Sequence, residues 1–439
     1  MNAKEMRIKQ HLGIVTSDTG TAQFSFFVTP LRNKLSIVEG SYVLVDHPAY
    51  GELCPLVAEV KEIKNYEEVM GTTFTEKTVE SIAVSDIIGY VDLRNPTVRV
   101  LRKLLTPPNP GSKVYLPYVE FLEDAFLRDA QGRLFEHALH LGMAETFANA
   151  KNGEARMLKF YLDAGALRKQ HLLITGMSGA GKTHTATVIG EEIANKTGYP
   201  LVVLDPWGEY TTLGVAGTGF TERQHSTEKY PFTFKVAIHA CDPQRVKAKL
   251  KQSKVELGQK ANYSVTRVKG KWAETPSKQA VLDMGEMLNE SVKPKQVTII
   301  DSRGLPQDER QNFFSCCVKG LWNCRVDRSV GPFLLIVEEA EAIDVEVMKR
   351  IASEGRKFGV SLCLLTQHPC EVSANVLSQT GTQILGRTTN TGDLERLKNM
   401  ALEKAVDLPK LAKGEWIVNG ITMRRPMKVL MRERYSTQI

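Results

Sequence analysis

An apolar strand that stops at a glycine-rich turn and restarts as a helix constrains this chain more than any other feature. His171-Leu172-Leu173-Ile174-Thr175 runs into Gly176-Met177-Ser178-Gly179-Ala180-Gly181-Lys182-Thr183, the pattern G-x-x-x-x-G-K-T. For successive backbone N–H groups to surround an anion, the turn needs residues without bulky Cβ substituents, and Gly176, Gly179 and Gly181 supply them, with Met177, Ser178 and Ala180 between. The helix predicted to open near Gly181 aims its unpaired N–H groups and positive dipole end at that anion. Lys182 is expected to reach the β and γ oxygens of a nucleotide, and Thr183 to offer its hydroxyl to Mg²⁺. By chance the pattern should arise only about 0.02 times in a chain of this composition, so a plain glycine turn is a poor account of it.

The 439 residues suffice for two or three domains, and 42% hydrophobic with 24% charged residues is ordinary for globular protein. No apolar run approaches the roughly 18 residues of a membrane span, and Met1-Asn2-Ala3-Lys4-Glu5 lacks the apolar core of a signal peptide. A cytoplasmic protein is predicted. Seven cysteines without a C-x-x-C pair read as reduced structural thiols. The net charge of +7 permits a polyanionic partner without requiring one.

Residues 1–115 read as β structure, with short strands near 13–15, 23–28, 41–45, 55–60 and 87–91 bounded by turn residues. Such spacing predicts a small closed barrel. No catalytic constellation stands out in it, so it is either a docking or oligomerisation module or a structural cap, and Phe26 or Tyr50 would contribute to an apolar docking patch. Pro107-Pro108-Asn109-Pro110-Gly111 marks its end. From 116 to 170 the pattern predicts a helical connection, with Phe121, Leu122, Ala125 and Phe126, then Leu134, Phe135, Ala138, Leu139 and Leu141, as apolar stripes. His137 and His140 stand three apart but without an evident third ligand, and solvent-facing side chains are the expectation there.

The stretch 171–439 alternates buried-type strands with helices, an α/β motor core. Pro200-Leu201-Val202-Val203-Leu204 ends in Asp205-Pro206-Trp207-Gly208-Glu209-Tyr210. Acids at a strand's carboxyl end face the ligand crevice of an open α/β sheet, so Asp205 and Glu209 either polarise a water and orient the nucleotide loops or merely cap the next segment. Between Pro243 and Lys278, ten basic residues (Arg245, Lys247, Lys249, Lys251, Lys254, Lys260, Arg267, Lys269, Lys271, Lys278) face only Glu256 and Glu274, ten minus two or +8. With Tyr263 and Trp272 interleaved, a basic helical insertion over about 243–295 either contacts nucleic acid or is a solvated face.

Phe333-Leu334-Leu335-Ile336-Val337 then meets Glu338-Glu339-Ala340, the apolar strand and acid pair of a Walker B element. The first acid, Glu338 in place of the usual Asp, is expected to hold Mg²⁺ through water; the second, Glu339, to accept a proton from the water attacking the γ-phosphate. Glu209 competes for that base role. Val360-Ser361-Leu362-Cys363-Leu364-Leu365-Thr366 ends at Gln367, an amide suited to sensing the γ-phosphate, and Arg356 before that strand either reaches a neighbour's nucleotide across a subunit edge or forms a surface salt bridge.

Together these residues resemble the HerA branch of the HerA–FtsK ATPases. Asp205-Pro206-Trp207-Gly208-Glu209-Tyr210 is similar to that family's D-P-H-G-E-Y, with Trp207 for His; Gly355-Arg356-Lys357 and Thr366-Gln367-His368-Pro369 are similar to its G-R-K and T-Q-x-P; Glu338-Glu339-Ala340-Glu341 stands where it has D-E-A-H. The resemblance implies a RecA-like P-loop NTPase core behind a small β-barrel, and a homo-hexamer with ATP and Mg²⁺ between subunits. It further implies double-stranded DNA in a central channel and a NurA-like nuclease on the barrel. Gly414–Val418 and Lys428–Leu430 look like the family's closing strands and tail, and Arg424, Arg425, Arg432 and Arg434 of this C-terminal stretch are expected to face a neighbouring subunit. A ring ATPase for protein threading or viral genome packaging, and a slowly hydrolysing P-loop regulator, are the competing readings.

Overall fold

Alternating apolar residues close the first strands into a barrel in the computed structural model, which describes residues 11–29, 37–65, 81–94, 101–128, 132–149, 155–215, 232–253, 263–343, 345–420, 423 and 425–436. The strands are β1 (His11–Thr19), β2 (Gln23–Val28), β3 (Tyr42–His47), β4 (Gly51–Asn65), β5 (Ser81–Val91), β6 (Leu101–Arg102) and β7 (Lys113–Tyr115). They run in the order β2-β1-β7-β3-β4-β5, and antiparallel pairing of β2 with β5 closes the ring, so six strands have no free edge while β6 hangs on β5. Leu12, Val15, Phe24, Phe26, Val43, Val45, Leu56, Ala58, Val60 and Val114 fill the interior. Phe26 is therefore a core residue, fully buried, and does not belong to a surface patch; Tyr50 and Leu53 are 47% and 48% exposed.

Cα packing divides the chain into two units, one of residues 1–135, 143–161 and 422–425 and the other of residues 136–142, 162–421 and 426–439. The helical connection expected over 116–170 is mostly strand. Only α1 (Val119–Phe126) and a single turn, α2 (Ala164–Leu167), are helical, and between them run β8 (Ala138–Asn149) and β9 (Ala155–Asp163). Leu139 and Leu141 are both buried on β8, so the period there is two residues and not 3.6.

The second unit is a doubly wound sheet. After β10 (His171–Thr175) and α3 (Lys182–Thr197) come β11 (Leu201–Asp205), β12 (Lys235–Ala240), α4 (Pro243–Gln252), β13 (Tyr263–Arg267) and α5 (Lys278–Asn289). Then follow β14 (Gln296–Asp301), α6 (Gln307–Val326), β15 (Phe333–Val337), α7 (Val345–Phe358), β16 (Val360–Thr366), β17 (Thr380–Leu385), β18 (Glu415–Gly420) and β19 (Met427–Met431). Eight parallel strands lie in the order β13-β12-β14-β11-β15-β16-β10-β17, and β18 and β19 add antiparallel. Continuous burial of β10, β11, β15 and β16 explains their near-unbroken apolar sequence. The stretch 243–295 is not a helical insertion: β13 pairs with β12 from Val236↔Tyr263 to Ala240↔Arg267 as the outer parallel strand of the sheet. Lys254, Glu256 and Lys260 lie outside the described residues. Among the described residues no helix is long and apolar enough to cross a membrane, and all seven cysteines are unpaired.

Candidate active site

Because the parallel strands all end on one side of the sheet, their following loops share one crevice. The turn after β10 begins it. Gly179 and Gly181 adopt φ of +81° and +103°, conformations that only glycine takes without strain, and Gly181 caps α3, whose first turn points into the crevice. The turn is tied down from behind: Met177 N–H donates to the Arg387 carbonyl at 2.8 Å, and Gly414 N–H donates to the Ala180 carbonyl at 3.2 Å. Lys182 Nζ donates to the carbonyls of Gly176 and Met177 at 2.8 and 3.3 Å. Burial pushes this ammonium's pKa down, and Glu338, Glu341 and Glu209 pull it back up. Ser178, Gly179, Gly181, Lys182 and Thr183 line a cavity of about 630 Å³ with Trp207, Glu209, Glu338, Glu339, Glu341 and Gln367. Gly176 and Ala180 brace the turn without lining it.

Glu338, first after β15, is only 7% exposed. Its Oε1 accepts from Tyr210 Oη at 2.7 Å, and the Thr183 hydroxyl donates to the same carboxylate. Burial raises its pKa to about 7 against those two donors and Lys182, so a half-buried hydroxyl and a buried carboxylate stand side by side. Glu339 adopts φ 51° and ψ 56°, left-handed backbone that is uncommon outside glycine. Its Oε1 accepts from Trp207 Nε1 at 3.0 Å, and Arg310 Nη1 lies 3.9 Å from its Oε2.

The two acids of the 205–210 loop divide the roles that the sequence left open. Asp205 caps its own loop, with Oδ1 accepting from the N–H groups of Gly208 and Glu209 and Oδ2 from that of Tyr210, at 2.7–3.0 Å. Burial and the neighbouring Asp301 push its pKa up; the N–H donors and Arg303 oppose. Glu209 is exposed to the cavity. Gln367, first after β16, is half-buried and faces the cavity too. Arg356 does not line it: the residue is exposed on the last turn of α7, just before β16 begins, at the amino end of the strands.

Sequence reading missed Tyr210, Arg310, Lys413 and Glu433 as residues of or next to this site, and Trp207 stood out only as a departure from a motif. It also missed what anchors α3. Glu191 and Glu192, both fully buried, accept the N–H groups of Tyr435 and Ser436 at 2.9 and 2.6 Å and that of His140 at 2.9 Å, and Arg432 Nη2 sits 3.0 Å from Glu192 Oε1. Arg432, its side chain 7% exposed, thus serves this anchor and does not face outward as expected. His137 and His140 flank the start of β8, and among the described residues no three His, Cys, Asp or Glu side chains group to hold a metal ion.

A family profile described as "Helicase HerA, central domain" matches residues 147–239, a span that holds the glycine-rich turn, α3 and the Asp205 loop. The DNA double-strand break repair helicase HerA of Pyrococcus furiosus is 21% identical to this chain over 96% of it and 92% of the relative. The chain is a HerA-like ATPase. Its likeness is to the HerA–FtsK superfamily, and a probable DNA double-strand break repair helicase HerA of Methanocaldococcus jannaschii is 24% identical over 73% of the chain and 80% of that relative. Among solved structures, the genome packaging NTPase B204 of Sulfolobus turreted icosahedral virus 2 is 13% identical, at a TM-score of 0.36, over 60% of this chain and 97% of its own.

Proposed function

We propose that this HerA-like ATPase is a cytoplasmic motor that moves duplex DNA through a homo-hexameric ring, with a NurA-like nuclease bound to its barrel for DNA end processing. The convergence of Lys182, Thr183, Glu338, Glu339 and Gln367 on one cavity supports the catalytic half of this reading. The glycine turn and Lys182 hold the phosphates of ATP. Thr183 and Glu338 are the residues to hold Mg²⁺, which supplies charge to offset the phosphate oxygens. Glu339 accepts a proton from the attacking water as its oxygen bonds the γ-phosphorus and the bond to the β–γ bridging oxygen breaks, leaving ADP and phosphate. Gln367 hydrogen-bonds the γ-phosphate, and Arg356, distant from its own cavity, acts on a neighbouring subunit's.

Names of the relatives support DNA as the track, as do the exposed Lys247 and Lys251 on α4. ATP hydrolysis measured with and without linear duplex is the primary test: stimulation by duplex is expected, and a rate indifferent to DNA removes the translocase reading. Replacing Lys247 and Lys251 by Ala should reduce the log–log salt slope of DNA binding by about 2, one counterion per lost phosphate contact. Lys249 is left out because its Nζ donates to the Gly208 carbonyl at 2.9 Å and does structural service. For the ring, Arg356→Ala protein titrated into Lys182→Ala protein should restore hydrolysis, since each lacks what the other offers. For the barrel, Tyr50→Asp with Leu53→Asp should abolish co-purification of a nuclease while sparing ATP binding.

A further inference from the structure

Trp207 is 54% exposed, yet its indole is held on two sides. Its Nε1 donates to Glu339 Oε1 at 3.0 Å, and the Arg310 guanidinium lies 4.2 Å above its ring. The loop that carries it has no slack: Asp205 takes three of its N–H groups, Lys249 holds the Gly208 carbonyl, and Gly208 sits at φ +74° where a Cβ would stand 2.1 Å from the Arg303 guanidinium. Glu339, by contrast, hangs at the cavity edge on left-handed backbone, with a side chain 35% exposed.

We propose that Trp207 is a positioning residue for hydrolysis, its indole N–H fixing the Glu339 carboxylate with Oε1 engaged and Oε2 left to take the water's proton. The assignment rests on the reading of Glu339 as the base. A neutral N–H suits the task because it orients a carboxylate without cancelling its charge, whereas a guanidinium at hydrogen-bond distance would weaken it as a base. Arg310 stays 3.9 Å from Oε2, beyond hydrogen-bond range, with the face of the indole beneath it.

Trp207→Phe keeps an aromatic ring for the cation and removes the N–H donor. The expected result is a kcat about tenfold lower with the KM for ATP within about twofold of wild type, and Trp207→His, which restores a ring N–H, should recover most of the rate. The contact also has a spectroscopic signature. Trp272, Trp322 and Trp416 are at most 5% exposed, so solvent-sensitive emission belongs to Trp207, and Glu339→Ala should change it in nucleotide-free protein. Wild-type kcat or a raised kcat in Trp207→Phe, or emission indifferent to Glu339→Ala, overturns the proposal. Glu339→Gln separates the two levels: if it hydrolyses ATP normally, the base assignment falls and this inference with it, whereas an inactive Glu339→Gln beside a fully active Trp207→Phe sinks the positioning role alone.

Discussion

Asp205 and Glu338 occupy equivalent places on neighbouring strands and do different work. β11 and β15 pair with Leu204 opposite Val337, so each acid is the next residue at the carboxyl edge of the sheet, and both are buried, at 1% and 7% exposure. Backbone N–H groups saturate the Asp205 oxygens, and backbone donors of the acid's own loop cannot leave. Among the described residues Glu338 has two hydroxyl donors, Tyr210 and Thr183, and an open side toward the cavity. The difference shows that burial of an acid does not by itself mark a ligand site. A carboxylate whose oxygens the fold leaves partly unanswered is the better candidate.

The contrast breaks most readily in the kinetics. Glu338→Ala is expected to lower kcat by about a thousandfold, the loss of a metal ligand, while Asp205→Asn should lower it by less than about tenfold. Equal losses measured under saturating ATP and Mg²⁺ would erase the distinction. Stability should follow the opposite order: Asp205→Ala orphans three backbone donors, two of them buried, and should cost about 3 kcal/mol in denaturant unfolding. Glu338→Gln, which relieves a buried carboxyl of its desolvation, should stabilise the metal-free protein by about 1 kcal/mol in the presence of a chelator while abolishing hydrolysis. The smallest effect concerns the residue that joins the two acids. Tyr210 gives its N–H to Asp205 and its hydroxyl to Glu338, so Tyr210→Phe should cost about 1 kcal/mol and a few-fold in kcat, and a neutral outcome in both would mean that the link is idle.

What the sequence disclosed follows from where the information sits. The glycine turn, the acids after β15 and the amide after β16 are contiguous strings whose spacing is imposed by a strand meeting a phosphate, and they converge on one cavity. The barrel strands were legible because turn residues bound them. Over 134–141, Leu134, Phe135, Ala138, Leu139 and Leu141 satisfy a helical period and a strand period in part, and from Ala138 on pairing across the sheet decided for the strand. Arg310 carried no local signal, because its partner Trp207 is about a hundred positions away and only the crossing of β14 beside β11 brings them together. Lys249 sat within a basic run and was read as part of its charge, whereas its ammonium is spent on a carbonyl.

The anchoring of α3 has a consequence for the order in which the protein is made. Ser436, whose N–H meets Glu191, leaves the ribosome 245 positions after it. Until then the nascent chain carries the phosphate-binding turn on a helix whose two inward acids have no partners from the segment 432–436, and Gly414 has yet to brace the turn from behind. Such long-range closure is slow relative to local helix formation. Nucleotide capture is thereby expected to wait until residues 414–436 have been made, and a nascent or truncated chain that stops short of Tyr435 holds the motif without the grip.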